Sequence, residues 1–276
     1  MDKLLNQSAI YLGAIADYPG AAELSAAGLA RAEARLAEGD RDLAVALGTH
    51  GTSLTRLGDL AGARALLERA LALDALYRPG SVELANKHDL LGGVLMEQGR
   101  AGQVGAFDLA VRFYQQALVL RRRLFGRGAE VAQTLNNLSG ARDAQGRVAA
   151  AARLIGASLR IVREVLPLGD ARLGYGLLNT GAMWLTAGRA DLAEPLLREA
   201  LELWQGVYAA QPQHPDTRNA AGWLILCLLR RAAAEENRGL REMEARKLCE
   251  VYGFDFEERK VTAMQHPYAP EGAEGV

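Results

Sequence analysis

Glu130–Arg147, EVAQTLNNLSGARDAQGR, decides how the rest of the chain is to be understood. It has the pattern of one amphipathic helix: Leu135, Leu138 and Ser139 share a face, Asn136, Gly140 and Asp143 lie beside it, and Gln-Gly-Arg ends it. The small residues Ser139 and Gly146 have counterparts at Gly51 and Gly58, Gly92 and Gly99, and Gly181 and Gly188.

The spacing continues beyond each turn. A mid-helix small residue is followed after seven residues by Gly, then by Ala, then by another small residue. The sets are Gly51, Gly58, Ala63 and Ala70; Gly92, Gly99, Ala110 and Ala117; Ser139, Gly146, Ala151 and Ser158; and Gly181, Gly188, Ala193 and Ala200. The mid-helix position advances by 41, 47, 42 and 41 residues to Gly222, and six residues inserted within Arg100–Asp108 account for the longer step. Antiparallel helices come close only over small side chains, and the turn position needs the positive φ that Gly adopts without strain. Such a pair cannot bury its apolar face alone, so the pairs must stack.

The expected fold is therefore all-α, a right-handed α-solenoid of about six antiparallel helical pairs. Residues 1–41 form an N-terminal capping pair, with helices at 3–16 and 21–37 split by a turn at Tyr18-Pro19-Gly20, and Asp40 caps the next helix. Residues 42–214 carry four repeats with the insertion near 100–108. Residues 215–253 make a degenerate pair, its helices running to about Glu236 and over about Leu240–Tyr252. Residues 254–276 are expected to be an extended or disordered tail.

Thr134-Leu135-Asn136-Asn137-Leu138, Ala144-Gln145-Gly146-Arg147 and Gln213-His214-Pro215-Asp216-Thr217 resemble the tetratricopeptide repeat, in the longer variety of kinesin light chains and many bacterial proteins. The resemblance covers roughly residues 42–230. Arg142 departs from it, standing where that family has an aromatic, and the insertion after Gly99 is a second departure. It implies a protein-interaction adaptor whose first helices line a concave groove, and related grooves hold short, often aromatic and acidic, peptide segments.

Composition narrows the classes. A formal net charge of −1 supplies no field to draw in nucleic acid or a membrane surface, and no run is apolar enough to span a bilayer. Asn6, Gln7, Ser8 and Asp2 spoil a secretory leader despite Ala14-Ile15-Ala16. Cys227 and Cys249 read as small buried hydrophobes in a reducing, cytoplasmic compartment. The 4 Lys against 28 Arg fit a GC-rich bacterial source. No nucleophile elbow, phosphate loop, metal-spaced cluster or positioned acid–base pair occurs, so neither catalysis nor a cofactor or metal is expected.

The candidate site is the groove. Its expected residues are Asn86, Gln133, Asn136, Asn137, Gly140, Tyr175, Asn179, Asn219 and Trp223. Thr52, Gly93, Gly140 and Ala182 would form a floor low enough for another backbone. Asn136, Asn137, Asn179 and Asn219 form a row of carboxamides able to satisfy an extended peptide, because an amide both donates and accepts. Tyr175 and Trp223 would receive an apolar or aromatic side chain. Four other readings stand beside this one. The amides can instead fix helix stacking. The convex helices or N-terminal pair can self-associate into a homodimer, or the tail around Tyr268 can plug the groove. Arg121–Arg123 with Phe125 and Arg127, and Arg230-Arg231 with Arg238 and Arg241, can contact phosphates.

Overall fold

The computed structural model describes residues 2–14, 16–37, 40–167, 169–234 and 238–265, and among them all regular structure is helical. The chain divides into two compact units, Met1–Gly146 and Arg147–Val276. The first holds α1 (Asp2–Ala14), α2 (Tyr18–Arg35), α3 (Arg41–Leu57), α4 (Leu60–Tyr77), α5 (Val82–Arg100), α6 (Ala106–Phe125) and α7 (Ala129–Ala144). The second holds α8 (Val148–Val165), α9 (Ala171–Thr186), α10 (Ala190–Val207), α11 (Pro215–Ala234), α12 (Arg238–Tyr252) and α13 (Phe256–Gln265).

Within each unit every helix packs on the next. First helices of successive pairs also touch: α1, α3, α5 and α7 in one unit, α9, α11 and α13 in the other. The small residues explain this closeness. A Cβ on Gly51 would lie 2.9 Å from Leu67 Cγ and 3.3 Å from the Ala63 carbonyl, and one on Gly181 would lie 2.8 Å from Leu197 Cγ. Leu47, Leu67, Leu91 and Leu135 fill the first unit, and Leu177, Leu197, Leu224 and Trp204 the second, all wholly buried. Each contributes about 1.5–3 kcal/mol of transfer free energy. Gly58, Gly146 and Gly188 take left-handed φ of 86°, 73° and 76° at the turns, as the repeat spacing requires.

Several boundaries differ from the sequence expectation. Tyr18, Pro19 and Gly20 form the first turn of α2, because Pro is tolerated where no intrahelical N–H is needed and the Asp17 carboxylate accepts from Gly20 N at 3.0 Å. Gly99 stays inside α5 against the Phe107 ring, and the inserted loop turns instead at Gly102 and Gly105. Residues 256–265 of the expected tail form α13. Asp255 caps it, accepting from Glu258 N at 2.7 Å, while Phe256 and Ala263 are buried. The Asp255-x-x-Glu258 spacing beside an apolar residue was the available signal. Glu236, where α11 was expected to end, and Tyr268, the expected plug, lie outside the described residues.

Candidate functional site

The first-helix faces are considered one unit at a time. In the first unit, Arg121 of α6 is buried and donates to Thr134 Oγ1 (2.6 Å), the Glu130 carbonyl (3.2 Å) and Asn86 Oδ1 (2.9 Å), 3.5 Å from the Asp89 carboxylate. Asn137 Nδ2 donates to the other Asp89 oxygen at 3.2 Å. Burial pushes the Asp89 carboxyl upward, partly offset by Arg121 and Asn137. Asn86 and Asn137 thus serve a polar network joining α5, α6 and α7: Asn137 donates to the largely buried Asp89 carboxylate, and Asn86 accepts from the Arg121 that faces it. Gln133 is exposed and Asn136 half-buried. Gly140 is half-buried, and beyond its own helix backbone no atom lies within 4 Å of an added Cβ.

In the second unit, Tyr175 projects from α9, half exposed and edge-on to Trp204 at 5.1 Å between ring centroids. Its hydroxyl donates to Asp216 Oδ2 at 2.6 Å, which pushes the phenol up to about 12. Tyr208 donates to the same oxygen at 3.2 Å and stacks on His214. Tyr175 therefore anchors the start of α11 as well as lining α9. Asn179 is exposed. Asn136 and Asn179 are each engaged by an interaction partner as well.

Asn219 and Trp223 come together. They line a cavity of about 460 Å³ with Gly222, Leu226, Arg218, Phe254 and Arg259, and among the described residues no carboxylate lines it. Phe254, carried back from the end of α12, lies 3.4 Å from where a Gly222 Cβ would be, with Arg218 and Arg259 guanidiniums 5.4 and 4.3 Å from its ring centre. Gly222 thus admits Phe254, where Gly51 and Gly181 admit the second helix of their own pair. Arg218, Phe254 and Arg259 were not among the expected site residues. The last two join the cavity only because α13 folds onto α11.

Each arginine cluster is consumed in part. Arg121 is enclosed, as above, so it cannot meet a phosphate. Arg231 and Arg241 converge with Arg198 on Glu194, which burial raises but the Arg198 and Arg241 guanidiniums bring net below the usual range. Arg230 donates to the Leu185 carbonyl at 3.0 Å. Cys227 and Cys249 are buried free thiols. Among the described residues no group of three His, Cys, Asp or Glu is placed to hold a metal ion, and no helix is long and apolar enough to cross a membrane.

The sequence matches no protein-family model and no curated protein. Solved structures do match. The nearly identical TPR-like repeats of a kinesin light chain from Podosopora anserina share 15% identity at a TM-score of 0.62, over 74% of this chain and 95% of that one. BtubC (BKLC) from P. vanneervenii shares 25% identity at a TM-score of 0.61, over 72% of this chain and 78% of that one. A Rap protein complexed with competence and sporulation factor shares 12% identity at 0.61, over 95% of this chain and 74% of that one. The chain therefore has the all-helical solenoid fold of tetratricopeptide-like repeat proteins, and its structural neighbours include kinesin-light-chain-like ones.

Proposed function

We propose that this chain is a non-catalytic adaptor that holds an extended peptide segment of a partner protein against its first helices, with the α9–α11–α13 face as the principal contact. The observation that carries it is the cavity in which Asn219 and Trp223 meet Arg218, Arg259 and Phe254. Asn219, with Asn179 on the neighbouring first helix, bonds the peptide backbone. Trp223 and Leu226 receive an apolar or aromatic side chain, and the two guanidiniums favour a segment carrying an acidic residue. In the first unit Gln133, Asn136 and Gly140 offer a second stretch of the same kind, while Asn86 and Asn137 bind only as far as their network allows. The matched Rap structure, which holds a competence and sporulation factor, supports the fold's suitability for such a ligand.

Each backbone hydrogen bond is worth about 0.5–1.5 kcal/mol net, so selectivity resides in the aromatic cavity. The test is a fluorescently labelled panel of twelve-residue peptides, acidic–aromatic, neutral–aromatic and basic, read by anisotropy against the full chain. Acidic–aromatic members should bind best, and Asn219→Ala with Trp223→Leu should weaken them about tenfold or more while each variant melts as a folded protein. A panel in which nothing saturates, or in which both variants bind as the parent does, overturns the proposal.

A further inference from the structure

The first unit contains a second cavity, of about 430 Å³, between α1, α2, α3 and α5. Its walls are mostly apolar, with Ile10, Val45 and Leu90 among them, and among the described residues the charged types that line it are Arg56 and Lys87. Lys87 is nine-tenths buried. It reaches this position because α3 has Gly48 there: a Cβ would stand 2.8 Å from Lys87 Cε and 3.0 Å from Nζ.

The Lys87 ammonium is incompletely balanced. It lies 3.7 Å from Asp74 Oδ2, beyond hydrogen-bond range, and it shares that one carboxylate with the Arg78 guanidinium, which is bonded to Oδ1. The nearby Glu83 is paired with Arg41. Lys87, Arg78 and Arg41 thus share the carboxylates of Asp74 and Glu83, and Arg56 adds a further positive charge to the cavity lining. The Thr49 and Thr52 hydroxyls donate to backbone carbonyls of their own helix, so they do not compete for an anion as donors. A mostly apolar concavity with one or two placed charges is the usual make-up of a small-molecule site.

We infer that this cavity binds a small monocarboxylic acid, its carboxylate on the Lys87 ammonium and its apolar tail along Ile10, Val45 and Leu90. At about 30 Å³ per non-hydrogen atom the volume admits roughly fourteen such atoms, which suits a chain of roughly eight to ten carbons. This site lies in the first unit and does not depend on peptide capture by the second.

The experiment titrates the full chain calorimetrically with decanoate, decanol and decylamine. Decanoate should bind saturably at one site per chain, about tenfold or more tighter than decanol, with decylamine weaker still. Lys87→Met keeps the Arg78–Asp74 pair and should erase the preference for decanoate over decanol. Should that variant fail to fold, Gly13→Leu serves independently: Gly13 lines the cavity and a Cβ there meets nothing within 4 Å, so the side chain blocks the cavity without strain and should abolish decanoate binding. Equal affinity for decanoate and decanol, no saturable binding, or unchanged decanoate binding in Gly13→Leu would overturn the inference.

Discussion

Asn137 on α7 donates to Asp89 on α5, 3.2 Å away, so one first helix is tied to the previous one through a carboxylate whose side chain is only 12% exposed. Asn137→Ala removes a donor from a group that cannot recruit bulk water freely. A loss of about 1–3 kcal/mol is expected in urea unfolding. Asn219→Ala, exposed at the cavity rim, should change stability by no more than about 0.5 kcal/mol. Equal effects of the two changes would contradict this division of roles.

Gly92 and Gly93 are adjacent in α5 yet should respond in opposite directions to alanine. A Cβ on Gly92 would stand 2.6 Å from the buried Tyr114 ring, whereas at Gly93 the nearest atom is Tyr114 Oη at 3.9 Å. Gly92→Ala should destabilise by about 1–3 kcal/mol through overpacking. Gly93→Ala should stabilise by up to about 1 kcal/mol, the helix-propensity difference. Thermal melts of the pair decide it.

Tyr175 should ionise late. Its hydroxyl donates to Asp216, and the folded value of about 12 stands above the ordinary phenol value of about 10. Because folding favours the neutral phenol, the stabilisation is fully present below pH ~10 and is lost as pH rises through the folded value. The tyrosinate absorbance difference between the parent and Tyr175→Phe should therefore develop near pH 12. A difference step centred near pH 10 would show that the bond is not maintained in solution.

The two thiols should be inert in the folded protein. Cys227 and Cys249 are buried, and burial pushes the Cys227 thiol up to about 12 and raises that of Cys249 as well, so almost no thiolate exists at neutral pH. An aromatic disulfide reagent should label neither in native buffer and both in guanidinium chloride. Rapid native labelling of Cys227 would mean that the α11–α12 packing opens.

The sequence by itself determined the helices α1 to α12, their order in pairs, and the close approaches at Gly51, Gly92 and Gly181, but not α13. Those features arise from the helical period and from what a residue without a side chain permits, both of which are local. It also placed Asn219 and Trp223 on a shared face, since they are four residues apart on one helix. Only the tertiary structure decided which polar groups would be occupied. Asn137 meets Asp89 across 48 residues of chain, and Arg241 meets Glu194 across 47. It likewise decided that Phe254, and not a second helix, would fill the space over Gly222, and that Lys87 would extend past Gly48 to the floor of a cavity. A long polar side chain takes whichever partner the stacked helices bring within about 3 Å, and that distance is fixed by packing between segments far apart in the chain.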